Sequence, residues 1–248
     1  MNSGKCCILY NQPHENALAD ELDVLDQVKY VEKHLHQIGI DTFRKGITSD
    51  FMAEIAELAA DKPGFVFNLV ESIINKGELC YFIPALLNVY SIPYTGNPLE
   101  AIFVTTSKAF TARALKQAGI NNPGGFPPSQ SAALTPGNMY IIKPVWEDGS
   151  LGITSESVFT FTPDIADKLK KYDDTHWIIQ DFIDGREFNN SIISGEHGPE
   201  VMQAAEMVFK DSWEDKPRIV DYKAKWKTGS FEFENTIRDF AGHNLDND

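Results

Sequence analysis

The sequence is poor in cysteine and has no long apolar run. Its three cysteines, Cys6, Cys7 and Cys80, form no CxxC pair and have no histidine at metal-ligand spacing. Two adjacent cysteines inside an apolar segment are typical of small core residues in a reducing compartment, so we expect no disulfides and a cytoplasmic location. No stretch approaches the ~20 apolar residues that a membrane-spanning helix needs, and we expect no membrane partner.

Positive charge is also scarce. The 248 residues include 22 Lys and Arg against 36 Asp and Glu, which gives a net charge of −14. A broad basic surface for nucleic acid is therefore not expected, although a phosphate-bearing small molecule needs only a few local cations. The six histidines are scattered without an HExxH motif and no GxSxG motif occurs, so we assign no metal ligands and no serine nucleophile.

The apolar pattern predicts an α/β section followed by an α+β section. Buried strands at residues 5–10 and 64–69 alternate with amphipathic helices, which is typical of a parallel sheet covered on both faces. The second section begins with one helix over residues 106–119, followed by strands at 139–144, from Ile153 onward and at 177–183.

Lys143 and Pro144 end one of these strands and are followed by a loop of small residues, 147–152. A lysine at a strand end beside glycine and serine can place an ammonium and backbone N–H groups on one polyphosphate. A surface lysine next to an ordinary hairpin turn explains the segment equally well.

Residues 180–187 join a buried strand to a polar turn, as in a hinge that recognises adenine. Gln180 is placed to accept from the exocyclic amine of adenine, and Glu187 to accept from ribose hydroxyls. A strand followed by a β-turn with solvated charges is the commoner meaning of such a pattern.

A third signal is the basic stretch 221–226. Read as a strand, it places Lys223 and Lys225 on one face and Tyr222, Ala224 and Trp226 on the other. An edge strand protected by lysines is the more common explanation of this pattern.

In order and spacing these segments resemble the ATP-grasp enzymes, and specifically the D-alanine–D-alanine ligase-like carboxylate–amine ligases. The matching segments are residues 67–71 (FNLVE), 92–96 (IPYTG), 106–108 (TSK), 143–144 (KP), 147–152 (EDGSLG), 182–188 (FIDGREF) and 223–226 (KAKW). The resemblance implies an ATP-grasp fold: an N-terminal Rossmann-like domain (1–97), a central ATP-grasp subdomain (98–183) and a partial C-terminal one (184–248).

The resemblance also implies roles for residues by position. Those implied to touch ATP are Lys108, Lys143, Glu147, Ser150, Gln180, Phe182, Ile183, Glu187, Ile219 and Lys225. Lys143, Lys225 and Ser150 would be the catalytic residues, because they would contact the phosphates. Glu21 is the N-terminal candidate for contact with the first substrate.

Such enzymes phosphorylate a carboxylate to an acyl phosphate, which an amine then attacks to give an amide. The implied cofactors are ATP and, in the complete enzyme, Mg²⁺. The implied partners are two small amino-acid-like substrates, and a homodimer is left open. The alternative is a non-catalytic protein that binds a nucleotide or a partner on the same fold.

Two departures from the family pattern affect these expectations. Gly149 and Trp226 stand where D-alanine ligases carry a serine and a tyrosine that form a hydrogen-bonded link to an N-terminal glutamate. We therefore expect no such link to Glu21, and a carboxylate and amine pair other than two D-alanines as the substrates. The family's closing Arg-x-Asp and Glu-x-Asn segments do not occur between Lys225 and Asp248. This predicts either a truncated chain or a protein that has lost catalysis, and in both cases an inactive chain. Asp246 and Asp248 are expected to be solvated rather than bound to metal.

Overall fold

The computed structural model describes residues 4–210, 213 and 216–241. Asp246 and Asp248 lie outside the described residues. The chain divides into two units, one made of Met1–Gly125 with Pro144–Asp148 and one made of Phe126–Lys143 with Gly149–Asp248. The division into three domains expected from the resemblance stays a prediction.

The first unit is built on a parallel sheet. Three strands pair in the order β2-β1-β3, with helices between them along the chain. The elements are β1 (Cys6–Asn11), α1 (Ala19–Gln37), β2 (Thr42–Ile47), α2 (Phe51–Ala60), β3 (Phe65–Leu69), α3 (Phe82–Val89), α4 (Leu99–Thr106) and α5 (Lys108–Gln117). The predicted parallel sheet is confirmed, although β2 was missed because it carries Arg44 and Lys45 and is not a continuous apolar run.

The central strand β1 supplies the core on both faces of this sheet. Cys7 and Leu9 pack with residues of α2 and α3, whereas Cys6 and Ile8 pack against α1 through Val28. All four strand residues are 0% exposed. A strand buried on both faces needs apolar side chains at consecutive positions, which explains the unbroken run that predicted it.

The second unit contains two three-stranded sheets and a hairpin. The strands pair in the orders β5-β4-β6 and β11-β10-β7, and β8 pairs with β9. The elements are β4 (Met139–Pro144), β5 (Val158–Thr160), α6 (Pro163–Leu169), β6 (Trp177–Asp181), β7 (Glu187–Asn189), β8 (Ile192–Gly195), β9 (Gly198–Val201), β10 (Ala205–Phe209), α7 (Tyr222–Trp226), α8 (Phe231–Asn235) and β11 (Thr236–Asp239). The mixed α+β architecture is as predicted.

Three local predictions were wrong. The strand expected from Ile153 begins at Val158, because Ile153 closes a turn by donating its amide to Ser150 O. The single helix expected over 106–119 is two helices, since Ser107 breaks the run and caps α5 by accepting from Phe110 N at 3.3 Å. The strand expected at 221–226 is the helix α7.

Within the described residues, no helix is both long enough and apolar enough to cross a membrane.

The three cysteines are free thiols in buried positions. Burial raises the pKa of all three thiols, that of Cys7 to about 12, where the neighbouring Cys6 raises it further. Because the thiolate is the reactive form, we expect maleimide or disulfide reagents at neutral pH to label the native protein slowly. The denatured chain is the control and should incorporate three labels; rapid labelling of the native protein would contradict the buried positions.

Candidate functional site

The predicted site residues divide between the two units. The first unit holds Glu21, Lys108 and Glu147, and the second holds Lys143, Ser150, Gln180, Phe182, Ile183, Glu187, Ile219 and Lys225.

In the second unit, the end of β6 carries a buried polar side chain next to an exposed apolar one. Gln180 is 7% exposed, and Phe182, just beyond the strand, is half-buried and donates its amide to Met139 O at 3.1 Å. Ile183 follows and is 70% exposed. The strand end thus offers a polar group within the fold and an uncovered apolar surface beside it, which suits a flat ring with a polar edge.

Glu187, the first residue of β7, lies in the electrostatic field of two lysines. Burial raises the pKa of the Glu187 carboxyl, while the ammonium groups of Lys225 and Lys143 act in the opposite direction. Three of the predicted residues, far apart in sequence, are therefore brought together in this unit. The negative charge of Glu187 offsets part of the positive charge of the two lysines.

The small helix α7 positions Lys225 and depends on a buried cap. Asp221 is 3% exposed, and its carboxylate accepts from Ala224 N at 2.9 Å. The bond supplies an acceptor for a backbone N–H of the first helical turn, which has no acceptor within the helix. This cap explains why the segment is helical rather than extended. Lys223 and Lys225 consequently do not share a face, because residues two apart on a helix point in different directions.

The loop after Asp148 is tied to the segment around α7. Ser150 donates its hydroxyl to Val220 O at 2.6 Å, next to the half-buried Ile219. The Trp226 indole N–H donates to Gly149 O at 2.9 Å. The two positions are thus joined to each other through a backbone carbonyl, which needs no side chain at Gly149. The expected absence of a link from them to Glu21 stays a prediction.

In the first unit, Lys108 lies at the start of α5 and is held by the segment Pro144–Asp148. Its amide donates to Val145 O at 3.0 Å, its ammonium donates to Glu147 O, and Asp148 lies 3.7 Å from the same nitrogen. Burial lowers the pKa of Lys108, and the carboxylates of Asp148 and Glu147 counteract that shift.

Glu147 sits in a crowded part of the same unit. Burial raises the pKa of its carboxyl, the Glu78 carboxylate raises it further, and Lys108 lowers it. The preceding carbonyl, that of Trp146, lies so close to Gly77 that any side chain there would collide with it. The absence of a side chain at Gly77 therefore permits the backbone before Glu147 to approach this closely.

Glu21 has a local structural role. Its carboxylate accepts from Leu18 N at 2.7 Å and so caps the start of α1. Contact with a substrate stays a prediction.

Glu71 is a candidate that the sequence interpretation missed. Desolvation raises the pKa of its carboxyl, the carboxylates of Asp23 and Asp148 raise it further, and a hydrogen bond from Gln27 lowers it. Its position directly after β3 was the available signal, because polar residues at the carboxyl ends of parallel strands often form binding sites.

No cluster of three or more His, Cys, Asp or Glu side chains that could hold a metal ion occurs in residues 4–210, 213 and 216–241. No magnesium ligand is therefore assigned among these residues.

The fold defines the class of protein. The chain matches D-alanyl-alanine synthetase A from Vibrio cholerae with a TM-score of 0.68 and 14% identity, over 99% of this chain and 76% of that one. The fold is thus that of the ATP-grasp ligases, as the sequence predicted. A family model described as an ATP-grasp domain matches residues 105–237, more than half of the chain. The chain belongs to the ATP-grasp family.

The chain is also similar in sequence to proteins named D-alanine–D-alanine ligase. The D-alanine–D-alanine ligase of Aquifex aeolicus (strain VF5) is 28% identical over 210 residues, which cover 83% of this chain and 66% of that protein. The ligase of the same name from Thermotoga petrophila is 28% identical over 205 residues, covering 82% and 63%. The chain thus spans slightly less than two thirds of these relatives.

The Asp221 cap can be tested by replacement. Asp221→Ala removes the acceptor for Ala224 N and should lower the free energy of unfolding by about 1 kcal/mol. Asp221→Asn keeps an oxygen in the same place and should cost markedly less. Urea denaturation of the three proteins measures the difference, and equal losses in both variants would show that the charge, rather than the cap, is what matters.

Proposed function

We propose that this protein is an ATP-dependent ligase that joins an amino-acid-like carboxylate to an amine through an acyl phosphate. The observation that carries the proposal is the meeting of Lys143, Lys225 and Glu187 in the second unit, beside the polar end of β6. Membership of the ATP-grasp family and the similarity to D-alanine–D-alanine ligases support it.

In this reaction each of the named side chains has a proposed role. Lys143 and Lys225 supply positive charge that stabilises the phosphoryl group as it moves to the carboxylate oxygen. Glu187 accepts from the ribose hydroxyls, and the Gln180 amide oxygen accepts from the adenine amine. Phe182, Ile183 and Ile219 offer apolar surface to the adenine ring, and the backbone at Ser150 contacts the phosphates.

Residues of the first unit are also proposed to contact the nucleotide and the substrates. Lys108 is a second source of positive charge for the phosphates, and Glu147 is a further nucleotide contact. Glu21 and Glu71 are the candidates for contact with the amine or carboxylate substrate. Gly149 and Trp226 differ from the residues expected of ligases that join two D-alanines, so we keep the substrates at the level of amino-acid-like compounds.

The proposal includes Mg²⁺ as the ion that accompanies ATP, without a ligand assigned in this chain. It also includes a homodimer in the cytoplasm, and the three free, buried thiols support a reducing compartment.

Titration calorimetry with ADP and a non-hydrolysable ATP analogue tests nucleotide binding. Lys143→Ala should weaken binding by at least about tenfold, because a charged contact to phosphate contributes about 1.5–3 kcal/mol. Lys168→Ala, at an exposed position on α6, is the matched control and should bind as the wild type does. Equal affinity of wild type and Lys143→Ala would overturn the site assignment.

A second assay separates catalysis from binding. ADP release in the presence of ATP, Mg²⁺ and pairs of D- or L-amino acids is the signature of a ligase. Binding without ADP release across a broad panel of acids and amines would contradict the enzymatic part of the proposal for this chain.

The pH dependence of nucleotide affinity tests Glu187. Because its pKa is raised, the carboxyl takes up a proton at a higher pH than an ordinary glutamate, so ADP affinity should fall as pH decreases through that raised pKa. Glu187→Gln should bind ADP more weakly at neutral pH and lack this step. The phosphates titrate identically in both proteins, so the difference between the two calorimetric profiles isolates Glu187, and parallel profiles would refute its role.

A further inference from the structure

Trp226 contacts the loop 149–153 in two ways. Its indole N–H donates to Gly149 O at 2.9 Å. Its ring also lies beside the glycine, since a β-carbon placed on Gly149 would be 3.8 Å from Cζ2 of the indole. The ring therefore stands at van der Waals distance from where a side chain would begin, and the loop packs on it.

Two further hydrogen bonds join the same segments of the second unit. The Ser150 hydroxyl donates to Val220 O at 2.6 Å, and the Tyr222 amide donates to Ile153 O at 3.2 Å. The loop is thus attached at its first, second and last residues to the segment 220–226. Two of the three bonds use a side chain and can be removed by substitution.

The loop backbone needs such support. Gly149 and Ser150 adopt consecutive left-handed conformations, with φ of +64° and +65°. For serine this region is sparsely populated, and such residues persist where the surroundings hold them. The bonds at Gly149 O and Ser150 Oγ act directly on these two residues, in addition to the turn bond from Ile153 N to Ser150 O.

The same short helix also carries Lys225. Trp226 ends α7, Lys225 precedes it, and the Asp221 cap fixes the start of the helix. Lys225 acts on Glu187 while Trp226 holds the loop that contains Ser150. One turn of helix therefore sets the position of a cation and of the loop together.

From this geometry we infer that Trp226 is a positioning residue. Its indole N–H keeps the loop 149–153 docked on α7 before a nucleotide arrives, so that the loop meets the phosphates in a formed conformation. This inference rests on the proposed function, since it assigns the loop to phosphate binding. A docked loop raises affinity because binding need not order it.

Trp226→Phe tests the inference by removing the N–H while retaining an aromatic ring. Without nucleotide, amide hydrogen exchange in 151–153, where Ile153 N bonds to Ser150 O, should become about three- to tenfold faster, as expected for loss of one hydrogen bond. ADP affinity measured by calorimetry should fall by a similar factor. Replacing Trp226 alone by 3-benzothienylalanine, which has sulfur in place of the N–H, should give the same two changes with the ring size unchanged.

Trp177→Phe is the matched control. This indole lies on β6 and packs against Tyr172, so its removal is the same chemical change in the same unit. It should leave exchange in 151–153 and ADP affinity as in the wild type. Equal changes in Trp177→Phe and Trp226→Phe would indicate general destabilisation and overturn the inference.

The remaining outcomes separate the inference from the proposed function. Unchanged exchange in Trp226→Phe would show that the indole does not hold the loop. Faster exchange with unchanged ADP affinity would show that it holds the loop without a role in binding. Absence of ADP binding by the wild type would overturn the proposed function and the positioning role together, while the exchange data would still decide whether Trp226 holds the loop.

Discussion

The hydrogen bond from Ala224 N to the buried Asp221 carboxylate determines the geometry of the second unit's site. It begins a helix in a segment whose alternating residues would otherwise favour a strand. Because the segment is helical, Lys225 and Trp226 point in different directions. The Lys225 ammonium acts to lower the pKa of Glu187, and the Trp226 indole N–H donates to Gly149 O. An extended segment would have aligned Lys225 with Lys223 instead.

The candidate cations of each unit are accompanied by a carboxylate of the same unit. Lys108 has Asp148 at 3.7 Å, and Lys143 and Lys225 act on Glu187. In a chain with a net charge of −14, these lysines are held in local balance rather than in a basic surface. Such local pairing lets an acidic protein keep positive charge at particular positions in each unit.

The sequence allowed the architecture to be predicted where burial leaves a simple pattern. The run of apolar residues in β1 marked a strand covered on both faces, and the same logic located β4 and β6. It failed at 221–226, because five residues are too few to distinguish a strand from one capped helical turn. The hydrogen bond from Trp226 to Gly149 O could not be predicted either, because a backbone carbonyl is an acceptor in every residue type.

The assignment of Pro144–Asp148 to the first unit has a consequence for dissecting this protein. The chain passes from one unit to the other after Gly125, returns for five residues and leaves again, so neither unit corresponds to one uninterrupted stretch of gene. A fragment ending at Gly125 would lack Trp146, whose ring meets Phe110 edge-on, and the groups that hold Lys108. Separate expression of the first unit would require these five residues to be grafted back.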